Sequence, residues 1–375
     1  MQVRYTITFP MMFLCNMKHW LFSAFILCAS FGVSGQSDST AVASDSLRQS
    51  SFFGFPVVYW TPETRLGFGG AAVYNFYIDK SDSISPPSQL QFGAAYTLEN
   101  QLLLYLPFQC FWDVRKWYSY GEIGYYRYNY YYFGTGNNDV EERERYGVDF
   151  PRIRLNLLRK VWRNWHVGAR VWVEDWETKD FETNRRFDTG QVPGGSGGLT
   201  IDPGAILFND SRDNVLYPSE GWYMEFTTQH ASGDFYFSRY RADIRNYQAV
   251  GKKHVLALQL FMDWTEGSTP FHMLPMLGGT KRMRGFYEGR FRDKSASMLQ
   301  TEWRTNVWRK WGVNAFLSAG MVGDGPEKWA LNTTRIAGGG GVRFQIDKEK
   351  KLNLRFDVGI GEGQAQYYFT IGEAF

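Results

Sequence analysis

The chain has 375 residues with 44% hydrophobic and 18% aromatic content, yet a mean hydropathy of −0.38, so its apolar residues are interleaved with polar ones. That excludes a helical membrane protein, which needs runs of about 18 or more apolar residues. With 30 Phe, 23 Tyr, 14 Trp and 39 Gly, disorder and a coiled coil are excluded too, because so many rings demand burial and so many glycines interrupt long helices.

The formal charge is +3, and the first 35 residues carry Arg4 and Lys18 without acids, leaving +1 (3 − 2) on the remaining 340 (375 − 35). Lys and Arg there alternate with Asp and Glu, so the clustered basic surface that binds nucleic acid is missing. Of three cysteines, Cys15 and Cys28 fall in the leader, and Cys110 alone builds neither a disulfide framework nor a zinc site. The five histidines show no paired metal spacing, and no cofactor is expected.

Residues 1–35 read as a signal peptide with a plausible true start at Met17: Met17-Lys18-His19 is the basic start, Trp20 to Val33 the apolar core, and Val33-Ser34-Gly35 the cleavage site. The 14-residue core is short for a membrane anchor. Residues 36–50 are a polar linker, and 51–375 form one domain.

From Ser51 onward the hydrophobic pattern has period two, which marks strands with two different faces. The expected strands are 53–60, 64–78, 88–98, 101–113, 117–133, 144–160, 163–180, 197–210, 219–231, 236–250, 253–266, 297–309, 313–322, 335–347, 351–361 and 364–374. These make sixteen, an even number, and many exceed the five or six residues usual in soluble sheets. In 297–309, Leu299, Thr301, Trp303, Thr305 and Val307 share one face while Gln300, Glu302, Arg304 and Asn306 share the other. Arg239, Arg241, Asp243 and Arg245 form one such ionic face; Asn353, Arg355 and Asp357 form another. Alternation fits either lipid outside and a wet lumen within, or a soluble core with charges outward; strand length favours the former.

The connections alternate as in an outer-membrane barrel, long outside and short on the periplasmic side. Segments 134–143, 181–196, 267–296 and 323–334 are long; 114–116, 251–252, 310–312 and 348–350 are tight. Two of the short set run longer, 79–87 and 211–218. Tyr125, Tyr126, Tyr128, Tyr130, Tyr131 and Tyr132 near a strand end suit an interfacial girdle, with a core aromatic cluster as the alternative. The expected fold class is all-β, a transmembrane antiparallel β-barrel of about 16 strands.

Gly194-Gly195-Ser196-Gly197-Gly198 matches G-x-S-x-G, but it lacks the strand-turn-helix context of a nucleophile elbow and reads as a flexible loop. No catalytic residue can be assigned, and the chain is not expected to be an enzyme.

Before the twelfth strand lies Met283-Arg284-Gly285-Phe286, inside Gly278 to Asp293. This resembles the conserved loop of the bacterial surface antigen family, the BamA/TamA-type outer-membrane barrels, whose signature is a small apolar residue followed by Arg-Gly-Phe or Arg-Gly-Tyr. Asp210-Ser211-Arg212-Asp213-Asn214, with Pro218 and Gly221, resembles the family's Asp-Thr-Arg-Asp-Asn turn and accounts for one longer periplasmic connection. Pro62-Glu63-Thr64, Phe133-Gly134-Thr135-Gly136-Asn137 and the closing Ile371-Gly372-Glu373-Ala374-Phe375 are weaker echoes.

The resemblance implies that the loop folds into the barrel and that Arg284 docks on the inner wall. The family's receiving motif is Phe-x-Asp-x-Gly; here it reads Phe316-Leu317-Ser318-Ala319-Gly320, without the carboxylate. A buried unpaired Arg costs several kcal/mol, so Glu302 or Asp357, lumen-facing by parity, is the expected substitute, with Glu302 favoured. The resemblance further implies an outer-membrane site in a Gram-negative bacterium, contact with outer-membrane lipids, and a role in membrane biogenesis (protein insertion, translocation or lipid handling), as a subunit of a larger complex. Phe375 suggests a client of the barrel assembly machinery. Family members acting as machines carry periplasmic docking domains, and only the linker precedes this barrel. The second function class is a passive channel or structural barrel.

Overall fold

The computed structural model describes residues 49–61, 65–82, 84–137, 143–183, 185–347 and 351–375. The expected leader, and the linker up to residue 48, lie outside them, as does Pro62-Glu63-Thr64. The wall consists of β1 (Ser51–Thr61), β2 (Arg65–Phe76), β3 (Ser88–Thr97), β4 (Leu102–Trp112), β5 (Trp117–Tyr132), β6 (Glu144–Trp162), β7 (Trp165–Lys179), β8 (Gly197–Asp210), β9 (Gly221–Gly233), β10 (Phe237–Val250) and β11 (His254–Gly267). After the long loop it continues with β14 (Ser295–Trp308), β15 (Trp311–Gly323), β16 (Arg335–Asp347), β17 (Leu352–Gly361) and β18 (Gln364–Ile371). These sixteen strands form one antiparallel sheet in sequence order. Inside the loop, β12 (Met276–Leu277) and β13 (Phe291–Arg292) make a small second sheet, which the periodicity does not reveal because two residues carry no period.

The period-two pattern sorts the faces as expected for a transmembrane barrel. On β14, Leu299 and Val307 are 58% and 60% exposed, whereas Gln300, Glu302 and Arg304 are buried. On β17, Phe356 and Ile360 face out; Asn353, Arg355 and Asp357 face in. Contacts across the interior record the curl of the sheet: the Tyr120 hydroxyl of β5 lies 3.5 Å from Glu225 of β9, and Lys351 lies 3.4 Å from Asp213. Bonds within hairpins satisfy the backbone, the only way a sheet tolerates hydrocarbon. Among the described residues no ladder joins β18 to β1, the two ends of the order.

Two expectations need correction. Tyr132 sits in an interior cluster with Tyr146, Phe150, Trp176, Phe187 and Phe271, against which Tyr126, Tyr128 and Tyr130 pack. The alternative, a core aromatic cluster, therefore holds for Tyr126, Tyr128, Tyr130 and Tyr132: parity turns them inward, where Tyr126 and Tyr130 pack on Phe150 and Tyr146 of β6 and Tyr132 meets the loop residues Phe187 and Phe271. The glycine-rich segment 194–198 is not all loop: Gly197 and Gly198 begin β8, while Ser196 is exposed and Gly194 and Gly195 are half-buried. Val192 is buried, Gly195 N–H donates to the Val192 carbonyl at 2.9 Å, and a Cβ on Gly194 would lie 2.5 Å from Pro270.

Candidate functional site

The long loop between β11 and β14 enters the lumen and is held at its tip. A short 3₁₀ turn, Phe271–Met273, leads into the β12–β13 pair, and Gly278 N–H donates to the Arg282 carbonyl at 3.1 Å to close the tip. Met283 then takes φ of 57° and Gly285 φ of 119°, reversing the chain so that Met283, Arg284 and Phe286 all become buried.

The wall receives this segment by a close approach of main chains. A Cβ on Gly359 of β17 would lie 2.6 Å from Gly285 N and 2.8 Å from the Arg284 carbonyl carbon; one on Gly361 would lie 2.6 Å from the Phe286 ring. Only glycine leaves room there. The Tyr368 hydroxyl of β18 accepts from Gly285 N–H at 2.8 Å and donates to the Phe286 carbonyl at 3.2 Å.

Arg284 is fully buried and forms two ion pairs, one guanidinium nitrogen donating to Asp357 and another to Glu302. Its guanidinium lies 3.7 Å from the centre of the Phe316 ring, a cation–π contact strengthened by desolvation. Phe316 pairs with Glu302 across β14 and β15. Ser318, where the resembling family has Asp, donates its hydroxyl to the Ala337 carbonyl at 3.1 Å and stays within the wall. A Cβ on Gly320 would lie 3.0 Å from the Met283 sulfur. Thus Glu302, Asp357 and Phe316 meet Arg284 directly, Gly320 bounds its neighbour, and Ser318 serves the ladder.

Glu302 also accepts from Arg304 and Arg343, each at 2.7 Å. Arg343 bonds Glu373 as well, at 2.8 Å, and Arg355 lies 3.3 Å from Asp357. Arg304 donates to the Phe375 main-chain oxygen at 2.9 Å and reaches the Pro218 carbonyl at 3.5 Å. The segment from Gly372 to Phe375 leaves the wall, and Ala374 and Phe375 pack with Tyr247 and Ala257. Four arginines and three carboxylates therefore form one buried network, in which each charge has partners, as burial demands.

The periplasmic turn is a second ordered unit. Arg212 donates to both oxygens of Asp210, at 2.9 and 2.7 Å. Asn214 accepts from Leu216 and Tyr217 N–H, and Asp213 accepts from Ser219 and Glu220 N–H. Burial works against the charge on Asp213, but these bonds and Lys351 hold its carboxyl below the usual range. Gly221 takes φ of 105° as β9 begins. The unit meets the lumen network through Pro218 and Arg304.

Several contributors were not anticipated as site residues: Arg304, Arg343, Arg355, Glu373 and Tyr368. Inward parity marks most of them, but not which ones converge. Among the described residues no group of three or more His, Cys, Asp or Glu is placed to hold a metal.

A family model described as the Omp85 superfamily domain matches residues 90–375, which is 286 of 375 positions. The chain belongs to the Omp85 superfamily. No curated protein matches it in sequence. BamA from Haemophilus ducreyi lacking POTRA domains 1–3 superimposes with a TM-score of 0.59 at 13% identity, over 87% of this chain and 70% of that one. CdiB from Acinetobacter baumannii gives 0.58 at 14%, over 87% and 60%, and CdiB from Escherichia coli 0.57 at 10%, over 85% and 61%. At such identity the likeness is one of fold: this Omp85 chain is an outer-membrane β-barrel that spans roughly 60 to 70% of those proteins' lengths.

Proposed function

We propose that this Omp85 barrel acts in outer-membrane biogenesis in a Gram-negative bacterium, inserting or translocating proteins or handling lipids, as a subunit of a larger complex. The observation that carries this reading is the seam. The ladder ends at β1 and β18 without a described pairing between them, and β18 is only eight residues long before the chain turns inward. A short strand offers few hydrogen bonds to hold a seam and leaves an unpaired edge on which another strand can template. Tyr368 of that strand also grips the docked loop, which links loop docking to the position of the seam. In this reading Phe375 is read by the barrel assembly machinery before it is buried.

The test is a panel of cysteine pairs, one on β1 and one on β18, in a Cys110→Ser background. Oxidation is expected to lower the levels of other outer-membrane proteins in cells and reduction to restore them. Planar-bilayer recording of the purified barrel is expected to give small flickering events. A large steady conductance, with no effect of the crosslink on outer-membrane composition, would instead establish the passive channel.

A further inference from the structure

The outward face at the periplasmic rim carries a feature that neither the docked loop nor the seam uses. Two turns share the pattern Val-Trp-Arg-x-Trp, Val161-Trp162-Arg163-Asn164-Trp165 and Val307-Trp308-Arg309-Lys310-Trp311. Each has a register shift just before the turn, at Lys160/Trp162 and at Asn306/Trp308, and each pairs its two tryptophans across the hairpin. The bulge places both indoles on the lipid-facing side: Trp162 is 61% and Trp308 60% exposed. In each turn the arginine takes a left-handed backbone, φ of 48° and 47°, and lays its guanidinium over the first tryptophan, at 4.7 and 4.9 Å.

The two units differ in the turn, Asn164 against Lys310, and at the position beside the second tryptophan. Trp311 pairs with Phe344 on the next strand, and the rings pack with centroids 4.9 Å apart, filling the space beside the turn. Trp165 pairs instead with Asn209. The smaller side chain leaves a cavity of about 260 Å³, framed by Trp162, Arg163, Trp165, Asn209, Ser211 and Trp222. At about 30 Å³ per water, it holds a group the size of several waters. Its wall is three indoles, two amides, a hydroxyl, a thioether and a guanidinium, and its exposed indoles, Trp162 and Trp222, place it on the outer face of the rim.

Charge selects the occupant. The short periplasmic turns 113–116, 163–164, 251–253 and 309–310 carry seven Lys or Arg and a single carboxylate, Asp113, which lies 3.3 Å from Lys116; the longer connections 79–87 and 211–220 add Lys80 and Arg212 against Asp79, Asp82, Asp213 and Glu220, so cations still outnumber carboxylates on this rim. The outward face of β7 ends at the opposite rim in exposed Asp175 and Glu177. Indoles settle at headgroup depth, and cations near an anionic leaflet gain about 1 kcal/mol each. We propose that the cavity at the β6–β7 turn binds the headgroup of an anionic phospholipid of the periplasmic leaflet, with Arg163 on the phosphate, Asn209 on the glycerol or phosphate oxygens, and the indoles against the upper acyl chains; the Ser211 hydroxyl, held by the Trp222 main chain, shapes the wall. The related turn at β14–β15, its space taken by Phe344, anchors the rim without selecting a lipid.

The full chain, purified in detergent and offered equal amounts of phosphatidylglycerol and phosphatidylcholine, tests this by native mass spectrometry of the intact complex. One charge-assisted contact predicts a preference for phosphatidylglycerol of about fivefold. Arg163→Gln and Asn209→Phe, the latter copying the filled turn, are expected to bring the ratio to about one, and Arg309→Gln to leave it unchanged. Millimolar glycerol 3-phosphate is expected not to displace the lipid, which separates a lipid site from a site for free phosphate. Heat-modifiable migration checks that each variant folds, and Trp222→Leu replaces Asn209→Phe if the latter does not. Equal retention of the two lipids, an equal loss in Arg309→Gln, or displacement by glycerol 3-phosphate would overturn the proposal.

Discussion

Replacing Arg284 by methionine and Glu302 by glutamine separates two accounts of what holds the loop. The buried network contains Arg284, Arg304, Arg343 and Arg355 against Glu302, Asp357 and Glu373, four cations and three anions. Arg284→Met removes both of its ion pairs but leaves three of each sign. Glu302 keeps Arg304 and Arg343, and Asp357 keeps Arg355. Glu302→Gln leaves four cations against two anions, and releasing the loop then relieves repulsion by carrying Arg284 away. Breaking a buried pair costs about 3 to 5 kcal/mol. We therefore expect about 3 kcal/mol of loop docking to be lost in Arg284→Met, where the rest stays balanced, and about 5 in Glu302→Gln. At about 1.4 kcal/mol per tenfold, the first is roughly a hundredfold rise in the population of released loop. Trypsin cleavage after Lys281 or Arg282 reads that population when reclosing is fast, with heat-modifiable migration showing that the wall stays folded. Cleavage of Arg284→Met within about threefold of the parent, or faster than that of Glu302→Gln, would refute the electrostatic reasoning.

Gly359→Ala should loosen the loop without altering any charge, because the added carbon meets the main chain at Arg284 and Gly285; the same cleavage assay should show a rise of about fivefold or more, on the scale of a steric cost of about 1 to 3 kcal/mol. Tyr368→Phe removes the hydroxyl that both accepts from Gly285 and donates to Phe286, and should cost about 1 to 2 kcal/mol of docking. Burial among rings lowers the His272 imidazole from 6.5 to about 3. Between those values the released loop binds a proton that the docked loop excludes, so docking should weaken as pH falls below about 6.5, and trypsin sensitivity measured across pH 5 to 8 checks the slope. In the connection between β2 and β3, burial opposes the charge on Asp82, but bonds from Ser85, Ile84 and Val114 outweigh it and hold the carboxyl at about 2. Hydrogen exchange at the Val114 amide should stay slow from neutrality to about pH 4, quicken as pH falls through 2, and be fast at neutral pH in Asp82→Ala.

Strand number, facing and the alternation of long and short connections were legible along the chain, because a side-chain period of two is a local property of backbone geometry. The same parity placed Glu302 and Asp357 inside, and the Arg-Gly-Phe motif singled out Arg284. Sequence does not say how far a strand is displaced against its neighbour around a sixteen-strand sheet, and that displacement decides which inward residues meet. Arg284 reaches one carboxylate 18 residues away and another 73 away; Tyr132 of β5 reaches loop rings rather than lipid. Two nearly identical Trp-Arg turns differ because Asn209 stands beside one and Phe344 beside the other, each on a neighbouring strand. Local pattern therefore determined what kind of surface each strand presents, and tertiary register decided which residues share a site, since cross-strand neighbours are set by pairing rather than by distance along the chain.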